Sequence, residues 1–546
     1  MGRTRAPVPA GPVVGRRAFL AGVVATALAG ACSADGGDGG GAGAPGAAGV
    51  PETAADLPAL PLSLPAGVFA LGVASGDPLP DSVILWTRLV TDPQADGGGL
   101  PDQPLPVRWE VAADEEFTDV VASGDAVAEP ALAHSVHVDA AGLDPGTWYW
   151  YRFAVGERLS PVGRTRTAPA AGEDPDRLRF AFASCQDFQA GFWPAYQHMA
   201  AEDLDLVVHL GDYIYEGAPV PGAVRTYVSA APTDLAGYRR RLAEYKADPA
   251  LQAAHARAPW VCTWDDHEVR NNYAGDVPDQ GDEASTTAGQ FHRRRAAAYQ
   301  AYYEHMPLRV DPPDGAELTL YRTLGWGGLA RFYVLDGRQY RSDQACDSTS
   351  DIGLVCPESG EDDRTMLGAD QEAWLGRALG ASEATWNVLA QQTIVSPVVV
   401  PLDGAVGGNL DQWDGYGAAR RRLVDQLRDV DNPVVLTGDI HASGVGVVSE
   451  DPDDPASPPL VPELVGTSIS SSFPAGLEAL VEAAAAASPA IRYVEARRRG
   501  YVVCELTPRQ LRAEFRYVAT VATPQADIAT GATWLIAAGD PEPRPA

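Results

Sequence analysis

The chain has 546 residues, of which 45% are hydrophobic and 21% are charged, so it can bury a sizeable core and is not disordered throughout. This length allows three or four units of about 150 residues, although large α/β domains exceed that size. Acidic residues outnumber basic ones by 73 to 41, which gives a net charge of −32. Such a surface repels nucleic-acid backbones over a screening length of about 8 Å, so we expect no nucleic-acid-binding role.

Residues 1–32 have the pattern of an export signal. Basic residues precede an apolar stretch at residues 18–31, which is too short to span about 30 Å of hydrocarbon. The sequence RRAFL at residues 16–20 resembles the twin-arginine motif, which addresses folded chains to the twin-arginine translocase. An ordinary secretory signal with two chance arginines is the alternative interpretation.

Cys32 follows three small residues, Ala29-Gly30-Ala31, in a pattern that resembles a lipobox. Leu28 stands one position further from the cysteine than that pattern requires, so lipid attachment at Cys32 and plain signal cleavage both remain open. We therefore expect an exported protein that is either secreted or tethered to the outer face of the cell membrane. Residues 33–65 are rich in Gly, Ala and Pro, which predicts a flexible linker.

Residues 66–169 contain short β-type runs separated by Gly, Asp and Pro, which predicts an immunoglobulin- or fibronectin-like β-sandwich domain. From residue 170 to 520, strand patterns alternate with helical patterns, which predicts a layered α/β domain. Aromatic residues at helical spacing between Phe291 and Pro307 predict a helix with a buried aromatic face. Residues 521–546 carry no clear pattern and are interpreted as a C-terminal tail.

Six cysteines occur in this exported chain, where disulfide pairing is the default. Cys346 and Cys356 lie ten residues apart in a loop rich in Gly, Ser and Asp, and we expect them to form a disulfide. Cys185 has no near neighbour, so an inert core thiol or a disulfide with Cys262 or Cys504 are alternatives to a functional role.

Four apolar runs, each typical of a buried parallel strand, end in reactive residues. Open α/β sheets place ligands just beyond the carboxyl ends of their strands, so these four ends could converge on one crevice. The residues that follow the runs are Cys185, then Asp212 with Tyr215, then Asp265-Asp266-His267-Glu268, and finally Asp439 with His441.

The ordered set of Gly-Asp, Asp-His-Glu and Gly-Asp-X-His resembles the calcineurin-like metallophosphoesterase superfamily. A finer resemblance is to the PhoD-like alkaline phosphatase and phosphodiesterase family, and it covers roughly residues 66–518. It implies an α/β metallophosphoesterase fold, a layered β-sandwich flanked by helices. The blocks that carry it are FASC at 182–185, GDYIYE at 211–216, TWDDHE at 263–268, RTMLG at 364–368 and WDGY at 413–416.

This resemblance implies two metal ions, Fe3+ and Ca2+. Phenolate, thiolate and imidazole donors suit iron, and the implied iron ligands are Cys185, Asp212, Tyr215 and His441. Oxygen donors suit calcium, which Asp266 and Asp439 would hold with Asp212 as the bridge. The superfamily has Asn where Asp266 stands, and Asp265 is the competing candidate for that ligand role.

The resemblance also assigns His267 as the catalytic residue that protonates the leaving alcohol, and the alternative is a histidine that only orients a carboxylate. Arg270, Asn271 and Asn272 follow the site and are candidates for contacting substrate oxygens, although a simple loop role is the alternative.

The leading hypothesis is a monomeric, exported metal-dependent alkaline phosphatase and phosphodiesterase that hydrolyses phosphate mono- and diesters with an Fe/Ca-activated hydroxide. A second hypothesis is a PhoD-like phospholipase D that acts on phospholipids. A third is a surface-tethered binding protein whose metal sites are structural.

Overall fold

Two packed β-sheets form the centre of the structure and helices cover their outer faces. The computed structural model describes residues 64–278, 286–346, 352–402, 405–454 and 456–546. The predicted export signal, Cys32 and nearly all of the predicted linker lie outside these ranges. The described residues belong to one compact unit, residues 51–546.

The N-terminal region is a sandwich of two sheets. Its strands are β1 (Val73–Gly76), β2 (Ser82–Arg88), β3 (Leu105–Ala112), β4 (Val120–Ala128), β5 (Ser135–Ala141), β6 (Trp148–Val155), β7 (Arg158–Leu159) and β8 (Gly163–Arg166). One sheet has the order β4-β3-β6-β7 with β8 also on β6, and the other contains β1, β2 and β5. Alternate residues such as Val83, Leu85, Val107 and Tyr151 fill the space between them. The immunoglobulin- or fibronectin-like character of this sandwich stays a prediction.

The central region carries the first six helices of the described residues and most strands that surround the site. Its strands are β9 (Leu178–Ala183), β10 (Leu206–His209), β11 (Trp260–Cys262), β12 (Arg322–Trp326), β13 (Ala330–Val334), β14 (Ile352–Leu354), β15 (Trp386–Ala390), β16 (Val400–Leu402), β17 (Ala405–Asn409) and β18 (Pro433–Thr437). Its helices are α1 (Pro194–Ala201), α2 (Leu235–Lys246), α3 (Pro249–His255), α4 (Ala288–His305), α5 (Gly368–Gly380) and α6 (Gly417–Leu427).

The C-terminal region completes both sheets. Its elements are β19 (Ser443–Ser449), β20 (Pro459–Val465), α7 (Glu478–Ala487), β21 (Ile491–Glu495), β22 (Arg499–Leu506), β23 (Gln510–Val518), β24 (Ile528–Ala537) and β25 (Arg544–Pro545). Short 3₁₀ helices lie at Asp96–Gly99, Pro130–Leu132, Pro357–Gly360 and Trp413–Gly415.

The two large sheets pack face to face through a hydrophobic core. Within the described residues, one has ten strands in the order β25-β24-β23-β22-β9-β10-β11-β1-β2-β5, and the other has seven in the order β12-β13-β15-β18-β20-β19-β21. Phe180 of β9 meets Phe332 of β13 edge-to-face at 5.4 Å between ring centroids. Helices α1 to α4 pack on the first sheet, and α5 and α6 pack on the second. The predicted layered α/β architecture is therefore present.

Helix α4 is the helix predicted from its aromatic spacing. Thr287 and Gln290 form a reciprocal capping box at its start, which satisfies backbone N–H groups that a helix end otherwise leaves free. Tyr299, Tyr302 and Tyr303 are buried along one face, as expected for residues spaced three and four apart.

The larger sheet includes strands from both the expected C-terminal tail and the N-terminal sandwich. Residues 521–546 are not a tail, because β24 pairs with β23 along its length and buries Trp534 and Ile536 by strand alternation. The N-terminal sandwich is joined to the central region through the larger sheet. Gly76 of β1 pairs in parallel with Trp260 of β11, so one sheet runs through both regions.

Candidate metal centre

The four strands that precede the predicted ligands end beside one another. β9, β10 and β11 are adjacent and parallel in the larger sheet, and β18 lies in the facing sheet. Their carboxyl ends meet at one edge, where ligand sites of α/β folds are commonly found. Ligand atoms of Cys185, Asp212 and His441 lie within 4.8 Å of one another, and so do those of Asp212, Asp265, Asp266 and Asp439.

Four of the predicted ligands have left-handed backbone conformations. The φ angles are 60° at Cys185, 55° at Asp212, 62° at Asp439 and 55° at His441. Such angles are uncommon for residues with a Cβ and cluster at functional sites, where the surrounding structure holds them. Each turn redirects the chain sharply after its strand and aims a side chain into the shared crevice.

Gly211 allows the loop that carries Asp212 to approach its neighbour. Its φ is 107°, and a Cβ there would lie 2.7 Å from the carbonyl carbon of Trp264 and would collide with Asp265. A side chain at this position would therefore separate the two loops that carry Asp212 and Asp266.

The first ligand set surrounds Tyr215. Its hydroxyl donates to Oδ2 of Asp212 at 2.7 Å and lies 2.9 Å from Nε2 of His441. Nδ1 of His441 lies 3.0 Å from the carbonyl oxygen of Ser472, which leaves Nε2 as the nitrogen that faces the cluster. Burial lowers the pKa of His441 to about 4, so its imidazole is neutral, as a metal ligand must be.

The thiol of Cys185 and the phenol of Tyr215 need a cation in order to ionise. Burial, and next the Asp212 carboxylate, raises the pKa of both groups well above their usual ranges. A bound metal ion would stabilise the thiolate and the phenolate and make both groups effective ligands.

The second ligand set consists of carboxylates. Oδ1 and Oδ2 of Asp266 accept hydrogen bonds from the backbone N–H groups of His267 and Asn272, at 2.8 and 2.7 Å. Asp439 accepts a hydrogen bond from the side-chain amide of Gln412, and burial raises its pKa to about 7. Oδ1 of Asp212 is buried without a hydrogen-bond partner in the described residues.

These observations fit bound cations. Four carboxylates this close repel one another unless positive charge lies between them, and a buried oxygen without a donor is a free lone pair for a metal ion. Oxygen donors suit a hard cation such as Ca2+, whereas the thiol, phenol and imidazole of the first set suit iron.

Arg338 supplies part of the counter-charge. Its fully buried guanidinium donates to Asp265 and, from Nη1, to Asp411 at 2.8 Å. Its Nη2 lies 3.5 Å from Oδ2 of Asp266 and 3.6 Å from Oδ1 of Asp439. Arg338 therefore occupies Oδ1 of Asp265, whereas Oδ2 of Asp265 is buried without a hydrogen-bond partner in the described residues, so Asp265 stays a candidate ligand beside Asp266.

His267 lies at the rim of both sets. Its Nδ1 contacts Oε2 of Glu216 at 2.6 Å, and its ring lies 4.1 Å from that of Tyr215 between centroids. Although burial opposes protonation, Glu216, Asp212 and Asp266 raise the pKa of His267 well above its usual range. These carboxylates favour the protonated ring, which is the form that a general acid requires.

The three predicted substrate contacts divide into two groups. Asn271 and Asn272 line the cavity at the centre, which has a volume of about 430 Å³, whereas Arg270 is not among its lining residues. Arg270 instead contacts Oε1 of Glu216 at 3.3 Å. The backbone N–H of Asn271 also donates to that oxygen, at 3.0 Å, so this loop supports the partner of His267.

Comparisons with known proteins identify the family. The PhoD-like phosphatase family model matches residues 180–515, and the model for the N-terminal domain of PhoD-like phosphatases matches residues 57–169. Alkaline phosphatase D of Bacillus subtilis (strain 168) is 48% identical over 478 residues, which are 86% of this chain and 80% of that protein. The chain belongs to the PhoD-like phosphatase family.

A solved structure described as the structure of PhoD is also similar. It superposes with a TM-score of 0.84 at 46% sequence identity and covers 89% of this chain and 93% of that one. The family resemblance drawn from the sequence motifs is therefore confirmed. Membership of this family supports an enzyme that hydrolyses phosphate esters, and it implies metal cofactors.

Sequence reasoning named Glu268 without a role and did not single out Arg338, Asp411 or Gln412, although all four hold the ligand loops together. Glu268 accepts hydrogen bonds from the backbone N–H groups of Asp212, Tyr213 and Asp265, at 3.1, 2.6 and 2.9 Å. Arg338 could have been found from the sequence. It follows the apolar run of β13, just as the predicted ligands follow the apolar runs of their own strands. Asp411 and Gln412 carry no comparable signal, since no strand of the large sheets leads into them.

The cysteines divide as follows. Cys346 and Cys356 form the expected disulfide. Cys185, Cys262 and Cys504 are buried free thiols in the described part of the chain, so the alternative disulfides of Cys185 do not form. None of the helices in the described ranges combines the length and the apolar character needed to span a bilayer.

Proposed function

We propose that this protein is an exported, metal-dependent hydrolase of phosphate mono- and diesters with a two-cation centre. The single observation that carries the proposal is that two chemically different ligand sets share one carboxylate, that of Asp212. A bridging carboxylate is typical of two-metal sites, where paired cations lie about 3.5–4 Å apart.

In the first position, Cys185, Asp212, Tyr215 and His441 would hold Fe3+, and in the second, Asp212, Asp266 and Asp439 would hold Ca2+. The thiol, the phenol and the neutral imidazole support iron in the first position. The all-oxygen second set supports calcium.

The bound cations would activate a water molecule and offset charge on the phosphoryl oxygens. In the overall reaction, the oxygen of water bonds to phosphorus, the bond from phosphorus to the ester oxygen breaks, and the alcohol leaves with one proton. His267 donates that proton from the ring nitrogen opposite Glu216. One proton of the water restores the proton that the general acid gives to the alcohol, and the other stays on the phosphate product or passes to solvent. Glu216 keeps the ring oriented and charged through its contact with Nδ1.

Asn271 and Asn272 line the cavity beside His267, which supports a role for them in contacting substrate oxygens. Arg270 is proposed instead as a positioning residue for Glu216. Export through the twin-arginine translocase, followed by either secretion or a lipid tether at Cys32, and a monomeric state are further parts of the proposal, and they rest on the sequence.

The test uses a bis-aryl phosphodiester and an aryl phosphomonoester as substrates of the purified holoenzyme. We expect turnover of both, loss of activity after exhaustive chelation, and recovery when calcium and iron are returned. Activity that survives removal of both metals would exclude the two-cation mechanism. Absence of turnover with every ester, in a protein that retains its metals, would favour the binding-protein hypothesis.

A further inference from the structure

The cavity at the metal centre has a second, apolar part. Its polar end is formed by residues of the centre, including Asp212, His267 and Asp439. The remainder of its volume of about 430 Å³ is bounded mainly by carbon. Its apolar lining residues include Val398, Val465, Phe473, Leu480, Val481 and Ala484. A phosphoryl group fills only the polar end of a cavity this large.

Helix α7 presents an apolar face to this space. Leu477, immediately before the helix, and Leu480, Val481 and Ala484 are spaced three and four apart, and all four line the cavity. Leu480 retains 36% of its accessible surface. Glu482 lies away from that face and pairs with Arg497 at 2.7 Å. The apolar face therefore borders a cavity instead of being fully packed into a core.

The apolar part joins the metal centre directly. The carbonyl oxygen of Ser472 contacts Nδ1 of His441, and the next residue, Phe473, lines the apolar part. Opposite α7, the wall is formed by Gly444 of β19, Val465 of β20 and Val494 of β21, which share one face of the sheet. A substrate whose phosphoryl group lies at the metal ligands would therefore place one ester substituent between α7 and this sheet.

We propose that this cavity selects phosphodiesters in which one ester group is an apolar alkyl or aryl chain, bound between α7 and the seven-stranded sheet. This proposal rests on the phosphoesterase function proposed above. Burial of each methylene group in such a space strengthens binding by about fourfold. The effect would stop at the chain length that fills the apolar part.

Alkylphosphonates test the proposal because their carbon–phosphorus bond is not an ester. For each alkylphosphonate from methyl to octyl, we would measure the inhibition constant for bis-aryl phosphodiester hydrolysis by the holoenzyme. Calorimetry would measure the binding affinity of the same compounds. We expect the inhibition constant to fall about fourfold per methylene over the first members and then to level off. An inhibition constant that does not change with chain length would overturn the proposal.

Two variants of α7 separate the apolar face from the helix itself. Leu480→Asn places an amide in the apolar part and should flatten the dependence on chain length. Ala483→Asn adds the same amide at an exposed position that does not line the cavity, and should leave the dependence unchanged. The proposal would be contradicted if the inhibition constant of Leu480→Asn still depended on alkyl chain length. It would also be contradicted if both variants lost that dependence equally.

Calorimetry of alkylphosphonate binding tests this inference separately from the proposed function, because it does not depend on turnover. Chain-length-dependent binding without ester hydrolysis would refute the function and leave the apolar site standing. Short-chain phosphatidylcholine in monomeric solution and long-chain phosphatidylcholine vesicles identify the source of the apolar group. Turnover of the monomeric lipid alone indicates a soluble amphiphile, and turnover of vesicles indicates a bilayer lipid.

Discussion

Arg338 donates a hydrogen bond from Nη1 to Oδ2 of Asp411 over 2.8 Å, and both side chains are almost completely excluded from solvent. A buried ion pair of this kind is costly to break, because removing one partner leaves the other charge uncompensated. The same guanidinium lies within 3.6 Å of two proposed calcium ligands, Asp266 and Asp439. It therefore links the stability of the fold to the charge of the second metal position.

Replacing this arginine should therefore affect stability and metal binding together. We expect Arg338→Met to lower the free energy of unfolding by about 3–5 kcal/mol, because Asp265 and Asp411 lose their buried counter-charge. Urea denaturation measures this change, and calcium titration of folded protein measures the metal position. Exchange of the exposed Arg108 for Met is the matched control and should change neither. Wild-type stability in Arg338→Met would contradict the assigned role.

The shared carboxylate should be indispensable for turnover. We expect Asp212→Asn to reduce kcat/KM by at least about a thousandfold, because the amide cannot bridge two cations. Metal analysis should show depletion at the same time. Asp125→Asn, at an exposed site in the N-terminal sandwich, serves as the control. Retention of a tenth of the wild-type rate would show that Asp212 is not the bridge.

His267 can be tested through the leaving group. A general acid contributes about 10²–10⁴-fold when the departing alcohol needs a proton, and far less when it leaves as a stable anion. His267→Asn should therefore slow alkyl ester hydrolysis much more than nitrophenyl ester hydrolysis. If both substrates lose rate equally, His267 acts only by orienting its neighbours.

Iron ligation by sulfur and phenolate should give the protein a colour. We expect the purified holoenzyme to show a ligand-to-metal charge-transfer band that weakens or shifts in Cys185→Ser and in Tyr215→Phe. Cys504→Ser, at a buried free thiol in the core between the two large sheets, is the control and should keep the band. A colourless, iron-free and fully active enzyme would overturn the iron assignment.

Lys246 makes the stability of the fold depend on pH. It is buried, with Nζ 4.4 Å from the ring centroid of Trp86, and burial lowers its pKa from 10.5 to about 7. Between these values the unfolded chain binds more protons than the native one, so this lysine makes stability rise with pH from about 7 to 10.5.

Lys246→Met should therefore exceed the wild type in stability at and below pH 7, and the difference should disappear as pH approaches 10.5. The expected slope of the difference is about 1.4 kcal/mol per pH unit within that window. Urea midpoints measured from pH 6 to pH 10 provide the check. A difference that is constant across this range would mean that Lys246 remains charged in the native state.

Much of the centre could be predicted because each ligand follows its own strand in a short motif. Asp212 and Tyr215 lie within one loop, and Asp439 and His441 lie within another, so local sequence was sufficient to predict that these side chains lie together. Arg338 and Asp411 are 73 residues apart, and no local pattern indicates their contact. The strand at Ile528–Ala537 was missed because its exposed alternate residues give it little overall hydrophobicity.

The pairing of Gly76 with Trp260 gives the N-terminal region a protective role. Without β1, strand β11 would be the open border of the larger sheet, with its backbone N–H and C=O groups free to pair with another chain. The backbone N–H of Asp77 also donates to the carbonyl of Trp260, at 3.1 Å. A variant that lacks the first hundred residues would therefore expose β11 as an edge strand. We expect such a variant to self-associate, which would lower its yield of folded protein.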